Sequence, residues 1–272
     1  MKKKPKISII VPTFNEKENL KTTPKVLKII LKQMVDKGKV SSASFILFVN
    51  DGSDDETFTI LKDLNKKNKN IFSITLDKNY GHQIALIAGM DYSFTKSEAM
   101  ITIDCDLQQD VNAIEKFIDS FNKGNQIVLG VRKNRINDSF FKSITANIYQ
   151  KIITAIGIKY LKGHADYRLV CSKSYGEIQK FVWTNQFLRS VFSGTSFKTD
   201  IQYHDVSDRL IGKTKYSFKK MILLALEGIF SNSLLTLKFL GFIGLGISIL
   251  SILLIFYVIF AKLFLSPVEG WS

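Results

Sequence analysis

Apolar and polar positions along this chain alternate with two different periods, and the changes of period mark its elements. Residues 7–11, Ile-Ser-Ile-Ile-Val, form a short β-branched run that predicts a buried strand ended by Pro12. Asn15 and Glu16 then open a predicted helix. Its apolar residues Leu20, Val26, Leu27, Ile30, Leu31 and Met34 recur at helical spacing, and Pro24 either kinks or splits it. The run 45–49 predicts a second strand, and Ser53 with Glu56 has capping-box spacing for a helix reaching about residue 64. Residues 71–76 predict a third strand, 85–92 a helix, 99–103 a fourth strand, 111–121 a helix and 126–130 a fifth strand. Beyond these, 138–157 has helical spacing, while 165–172 and 197–203 read as extended with a helix or two between them. Residues 218–236 read as an amphipathic helix skimming a membrane.

Strands alternating with helices predict an α/β protein, a doubly wound sheet with helices on both faces. Such sheets build their sites along the carboxyl ends of the strands. Polar residues cluster there after strands one, two, four and five. The sharpest cluster follows strand four, where an apolar run ends in Asp104, Cys105, Asp106, Leu107 and Gln108. On an extended backbone Asp104 and Asp106 point to one side. Converging carboxylates repel unless a proton or cation sits between them, and Mg²⁺ or Mn²⁺ takes such oxygen ligands. On this stretch alone, a metal site and a strand end with two solvated acids fit equally well. Glu16, Asp51 and Arg132 share the same edge, so the wider set suits a diphosphate held by a metal beneath a basic rim. The chain contains no glycine-rich dinucleotide fingerprint and no phosphate-binding P-loop, which argues against nicotinamide and P-loop chemistry.

One segment sets the location. Residues 239–261 carry no charge and are bracketed by Lys238 and Lys262. As a helix they reach about 34 Å, enough to cross a hydrocarbon core of about 30 Å. Lys213, Lys215, Lys219 and Lys220 precede the span and only Lys262 follows it, so the positive-inside rule puts the N-terminal part in the cytoplasm. The expectation is a single-span protein of the inner or plasma membrane with a cytoplasmic catalytic domain. The boundaries read as 1–210 for that domain, 211–237 for a juxtamembrane segment, 238–265 for the span and 266–272 for a tail.

The 272 residues carry a net charge of +14, from 38 Lys+Arg against 24 Asp+Glu, which favours anionic partners. Lysines scattered as on a solvated helix face, with no arginine-rich tract, argue against nucleic acid. Two cysteines, Cys105 and Cys171, lie in apolar runs and read as buried thiols in a reducing compartment. His164 and His204 read as surface or supporting residues, and Trp183 and Trp271 as interfacial anchors.

Four ordered motifs carry a resemblance: Val11-Pro12-Thr13-Phe14-Asn15-Glu16; Asn50-Asp51-Gly52-Ser53; Asn79-Tyr80-Gly81-His82-Gln83; and Asp104-Cys105-Asp106-Leu107-Gln108. Together they resemble the family-two, GT-A-fold glycosyltransferases, and more narrowly the bactoprenol glucosyltransferases and dolichol-phosphate mannose synthases. The likeness continues through Gly130-Val131-Arg132, Asp166-Tyr167-Arg168 and 209–216. It implies a GT-A mixed sheet, a UDP- or GDP-hexose donor with UDP-glucose favoured, a polyprenyl phosphate acceptor, Mg²⁺ or Mn²⁺, and a role in cell-envelope glycosylation. Carried over by residue, Pro12, Phe14, Glu16, Asn50, Asp51 and Cys105 belong to the nucleotide-sugar pocket. Asp106 and Gln108 hold the metal, with Asp104 at the ribose or diphosphate and beside the metal. Arg132, Arg168, Arg209 and Lys215 face the phosphates of donor and acceptor. Asp166, Asp106 and Arg168 are the catalytic candidates, Asp166 acting as a base, an orienting group or a support for Arg168.

A phosphate acceptor is already an anion, so strong base help is unnecessary and the basic rim offsets repulsion between two anions. Two departures from the pattern stand out: Asn50 replaces a usual Asp, and Ser190 a usual Gly after Arg189. Gln186-Phe187-Leu188-Arg189-Ser190 also half-matches the Gln-x-x-Arg-Trp motif of processive synthases, and the missing Trp argues against processivity. Transfer to another lipid or polysaccharide acceptor, and a non-catalytic nucleotide-sugar binder, are the alternatives. The resemblance further implies a homo-oligomer, tetrameric in related proteins, and a second span near Gly270-Trp271, where the given sequence stops at Ser272.

Overall fold

The computed structural model describes residues 4–133, 161, 163–184, 187–205 and 234–264. Its centre is a seven-stranded sheet: β1 (Ile7–Thr13), β2 (Phe45–Asn50), β3 (Ile71–Thr75), β4 (Ala99–Thr102), β5 (Ile127–Arg132), β6 (His164–Cys171) and β7 (Thr199–His204). The order is β3-β2-β1-β4-β6-β5-β7. β6 runs antiparallel to both β4 and β5, whereas the pairs around β1 and β2 and the β5–β7 pair are parallel. All five strands expected first are present, and the two later extended segments became β6 and β7.

Alternate residues of the central strands feed two cores. Ile7, Ile9, Val11, Ile46 and Phe48 meet α1 (Thr23–Asp36), α2 (Thr57–Lys67) and α4 (Ala113–Asn122) on one face. Ile10, Leu47, Val49 and Met100 meet α3 (His82–Phe94), α5 (Ser172–Thr184) and α6 (Leu188–Gly194) on the other. Each fully buried aliphatic or aromatic side chain contributes about 1.5–3 kcal/mol. The mixed sheet with helices on both faces is therefore as expected.

Several local expectations are corrected. β1 does not stop before Pro12 but continues to Thr13. The Ile103 N–H donates to the Ile10 carbonyl, so residues 10 and 12 point their polar backbone atoms toward β4, and the last β1–β4 rung is Ile10–Thr102. Pro12 lies past that rung, where a missing N–H breaks nothing. The first helix begins at Thr23, not at Asn15, with a short 3₁₀ turn at Asn19–Lys21 before it. Pro24 sits in its first turn, where proline starts a helix rather than bending one. The capping box does not form, because the Ser53 hydroxyl accepts from the Asn15 N–H (3.0 Å) and the helix starts later, at Thr57. His164 and His204 are buried rather than superficial. Trp183 ties α5 to α3, its indole N–H donating to Asp91 Oδ2 (2.8 Å).

A final helix, α7 (Leu234–Phe264), contains a stretch from Leu240 to Phe264 that is long and apolar enough to cross a membrane, with none of it buried inside the protein. The segments expected as a helix at 138–157 and an amphipathic helix at 218–236 fall outside the described residues, apart from the last three residues of the second, which belong to α7.

Candidate active site

The carboxyl ends of β1, β2 and β4 and the amino end of α3 meet at one edge of the sheet. After β1 the chain turns through Asn15, whose backbone is left-handed (φ 53°). Asn15 Oδ1 accepts from the Asp54 N–H (2.9 Å), and the Glu16 N–H donates to Thr57 Oγ1 (3.0 Å), so the loops after β1 and β2 are laced together. Glu16 also accepts from Asn19 Nδ2 (2.6 Å). Pro12 is buried within β1 and Phe14 half-buried after it.

Asn50 Oδ1 accepts from the Ser53 N–H (3.2 Å), which closes the turn after β2. Gly52 is essential to that turn. Its φ is +61°, and a Cβ would lie 2.3 Å from the Lys78 carbonyl carbon. The close approach lets buried Asp51 reach the next loop, where its two carboxylate oxygens accept from the Tyr80 (2.8 Å) and Gly81 (2.9 Å) N–H groups. Gly81, with φ 96° and ψ 158°, occupies a region open almost only to glycine. Asp51 and Gly81 thereby set the start of α3 and aim His82 and Gln83 across the sheet edge.

Past β4, Asp104 accepts from the amide of Gln109, and its other oxygen lies 3.6 Å from His82 Nε2. Asp106 Oδ1 accepts from the Gln108 N–H (3.2 Å) around Leu107, a left-handed residue (φ 50°). The Cys105 carbonyl takes the Thr23 hydroxyl (2.6 Å) and the Asp110 carbonyl takes the Tyr167 hydroxyl (3.0 Å), so α1 and β6 pin this loop at both ends. The Cys105 thiol itself is turned into the core. Burial, with the nearby Glu16, Asp106 and Asp104 charges, pushes its pKa far up, so it stays protonated.

The other half of the site is a buried ion cluster on β6. Asp166, 4 % exposed, receives Arg168 on Oδ1 and Arg189 on Oδ2 through Nη2 (2.9 Å) and Nε (3.3 Å). Gln83 Nε2 donates to the same Oδ2 (3.2 Å), and His82 Nε2 stands 3.7 Å from it. Burial alone would raise the Asp166 pKa. Arg189 and Arg168 outweigh it and hold the carboxyl well below the usual range. Arg168 is 1 % exposed, so its guanidinium serves Asp166 rather than the surface. Its Cζ sits 5.0 Å from the Phe192 ring. Burial, then the Arg168 charge, keeps neighbouring His164 neutral.

The structure thus brings Asp104 and Asp166, 62 positions apart in sequence, to the same imidazole. Arg132 stands at the end of β5, opposite His204 of β7, while Arg209 and Lys215 lie outside the described residues. The sequence reading quotes Gln83 within the 79–83 motif and Arg189 within the Gln-x-x-Arg pattern but gives neither a role at the site, and it passes over Gln109 as a functional residue. Nothing in the local sequence marks Gln109 as a partner of Asp104.

Among the described residues no three acidic, histidine or cysteine side chains converge as a self-sufficient metal cage. Asp104, Asp106 and Gln108 nevertheless carry oxygen donors of the kind hard divalent cations take, so the chemistry of these side chains fits Mg²⁺ or Mn²⁺.

Residues 8–180 of the chain match the family model of Glycosyl transferase family 2. The chain belongs to that family. The glycosyltransferase is 35 % identical to YkoT of Bacillus subtilis (strain 168), a glycosyltransferase, over 98 % of this chain and 80 % of that one. It is 30 % identical to the bactoprenol glucosyl transferase of Shigella phage SfX, over 98 % of this chain and 85 % of that one. Its GT-A fold is shared with glucosyl-3-phosphoglycerate synthase from Mycobacterium tuberculosis, solved with Mn²⁺, uridine diphosphate and glucosyl-3-phosphoglycerate. That match has a TM-score of 0.51 at 12 % identity and covers 84 % of this chain and 78 % of that one.

Proposed function

We propose that this glycosyltransferase moves a hexose, with inversion, from a nucleotide sugar of the UDP-glucose type to a polyprenyl phosphate at the cytoplasmic face of the membrane. The observation that carries this reading is the single imidazole of His82 between Asp104 (3.6 Å) and Asp166 (3.7 Å). It joins an acidic end suited to a metal diphosphate to a cationic end suited to an anionic acceptor. The naming of relatives as bactoprenol glucosyl transferases supports the acceptor class, and α7 keeps the domain beside its lipid. The lysine-rich approach to α7 supports the cytoplasmic orientation.

In this reading Pro12, Phe14, Glu16, Asn50 and Asp51 shape the nucleotide pocket, with the Cys105 main chain beside it. Asp104, Asp106 and Gln108 hold Mg²⁺ or Mn²⁺, a choice supported by the Mn²⁺ in a neighbour of the same fold. When bound, the cation neutralises charge on the leaving diphosphate. Arg132, with Arg209 and Lys215 as the resemblance assigns them, offsets the charge of the donor and acceptor phosphates. Asp166 is held ionised by two guanidiniums, with its oxygens engaged by Arg168, Arg189 and Gln83. That environment suits a fixed anchor for cations more than a proton acceptor, and a phosphate nucleophile needs little base help.

The test is direct. Full-length protein in detergent is incubated with labelled UDP- or GDP-sugars, Mn²⁺ or Mg²⁺, and undecaprenyl phosphate. Label entering the lipid phase, and lost in Asp106→Ala, supports the reading; label that reaches no lipid under any pairing overturns it.

A further inference from the structure

Asp91, near the C-terminal end of α3, has its carboxylate gripped by one face of α5. Its Oδ1 accepts from the Tyr175 hydroxyl (2.7 Å) and from Gln179 Nε2 (2.7 Å), and its Oδ2 accepts from Trp183 Nε1 (2.8 Å). Residues 175, 179 and 183 follow one another at helical spacing, so a single stripe of α5 supplies all three donors. Hydrogen bonds to a carboxylate are stronger than those between neutral groups. Burial, then the bond to Asp91, pushes the Tyr175 pKa up, so that hydroxyl stays a donor at neutral pH.

The two helices serve opposite sides of the site. α3 carries His82 and Gln83 at its first two positions. α5 follows β6, the strand of Asp166, without a break, Cys171 ending one and Ser172 starting the other. The two units meet again at the sheet edge. There Gln83 Nε2 donates to Asp166 (3.2 Å), while His82 Nε2 stands 3.7 Å from Asp166 and 3.6 Å from Asp104. These contacts are longer than the three bonds on Asp91, so the far end of α3 is held more firmly than the end that reaches the site. Gly89 sets how closely α3 lies on the sheet, since a Cβ there would come 2.4 Å from Ile10 Cγ2. Asp91 sets where it lies beside α5. His82 is about 13 Å of helix away from Asp91, a length over which a packed helix shifts as one body.

We propose that Asp91 is a positioning residue, which through α3 holds His82 and Gln83 at their distances from Asp104 and Asp166. This rests on the reading of that edge as the site of transfer. Groups at a reacting centre tolerate little displacement, and a shift of about 1 Å costs on the order of 10²-fold in rate. The loops after β1 and β2 are closed by their own bonds, Asn15 to Asp54 and Asn50 to Ser53. Asp91 therefore acts on the rate more than on nucleotide affinity.

The experiment compares wild type with Asp91→Asn and Trp183→Phe, all as full-length protein in detergent. Asp91→Asn replaces one of the two acceptor oxygens by a donor. Trp183→Phe removes a single donor from a side chain that is 44 % exposed, and serves should Asp91→Asn fold poorly. Hydrogen–deuterium exchange is read in the first turn of α3, where the Ala85 N–H donates to the Gly81 carbonyl. Exchange there should rise ~5–20-fold in Asp91→Asn and ~2–5-fold in Trp183→Phe. In the transfer assay kcat should fall ~10-fold in Asp91→Asn and less in Trp183→Phe, with the donor KM and the affinity for UDP or GDP with Mn²⁺ within about twofold. Faster exchange confined to residues 88–94 and 175–183 overturns the proposal in favour of a local packing tie. An unchanged kcat in a variant whose first turn exchanges faster overturns it too, as does lowered thermal stability with both readouts unchanged. A loss of nucleotide affinity as large as the fall in kcat overturns it in favour of a role in the donor pocket. Wild-type protein that binds nucleotide but transfers to no lipid overturns the acceptor reading alone, and exchange in the first turn still decides whether Asp91 governs the place of His82.

Discussion

On the β1–β2–β3 side of the sheet, the loops after the strands are held by short polar side chains that reach main-chain N–H groups. Asn15 takes Asp54, Asn50 takes Ser53, and Asp51 takes both Tyr80 and Gly81. On the β4–β6 side the site is held by charge, with Asp166 buried between Arg168 and Arg189 and faced by His82. The first arrangement fixes backbone and needs few full charges out of water. The second keeps an ionised carboxylate in the interior, stable only while its partners stay. A donor pocket that must shape loops around a flat base, next to an acceptor pocket that must tolerate a second anion, would call for this division.

The largest effect should come from breaking the charged side. Asp166→Asn leaves Arg168 buried without a counter-charge and should cost about 3–5 kcal/mol by urea unfolding at pH 7. The sign of the pH dependence follows from a folded pKa held below the ordinary value. The Asp166 contribution is fully present above the unfolded carboxylate pKa of about 4 and is lost as pH falls through the lower folded value. The variant should therefore differ from wild type most at neutral pH, and the gap should shrink on acidification. A gap that widened toward pH 3 would contradict the pairing.

Next in size is the acid pair past β4. Asp106→Ala should lower transfer by on the order of 10²–10³-fold with folding unchanged, and Mn²⁺ binding read by electron paramagnetic resonance should weaken in parallel. Breaking the laced side should act on stability more than on charge. Gly52→Ala forces a Cβ to 2.3 Å from the Lys78 carbonyl carbon at a positive φ, and a loss of about 1–3 kcal/mol in thermal or urea unfolding is expected. The smallest effect concerns Cys105. Its thiol is buried and kept protonated, so N-ethylmaleimide should leave it unlabelled in the folded protein at pH 7 and label it in urea, as mass spectrometry would show.

How far these features were legible follows the same divide. Asn50, Asp51, Gly52 and Ser53 stand together in the chain, as do Asp104, Asp106 and Gln108, so a local pattern announces both. The ion cluster joins Gln83, Asp166, Arg168 and Arg189 from three elements, and no local pattern encodes a contact spanning 83 positions. The misread Ser53 makes the same point at short range. Its spacing to Glu56 is right for a cap, yet the hydroxyl found the Asn15 N–H because β1 and β2 lie side by side.

By itself the sequence determined the alternation of strands and helices, the membrane-length apolar helix, and the acids at the strand ends. These depend on hydrophobic period and on the reach of neighbouring side chains. Only the tertiary structure decided where β1 and α1 meet their ends and that Asp166 is an anchored anion with two unequal arginines. Those outcomes depend on which strands become neighbours and on how deeply each charge is withdrawn from water, and packing alone sets both.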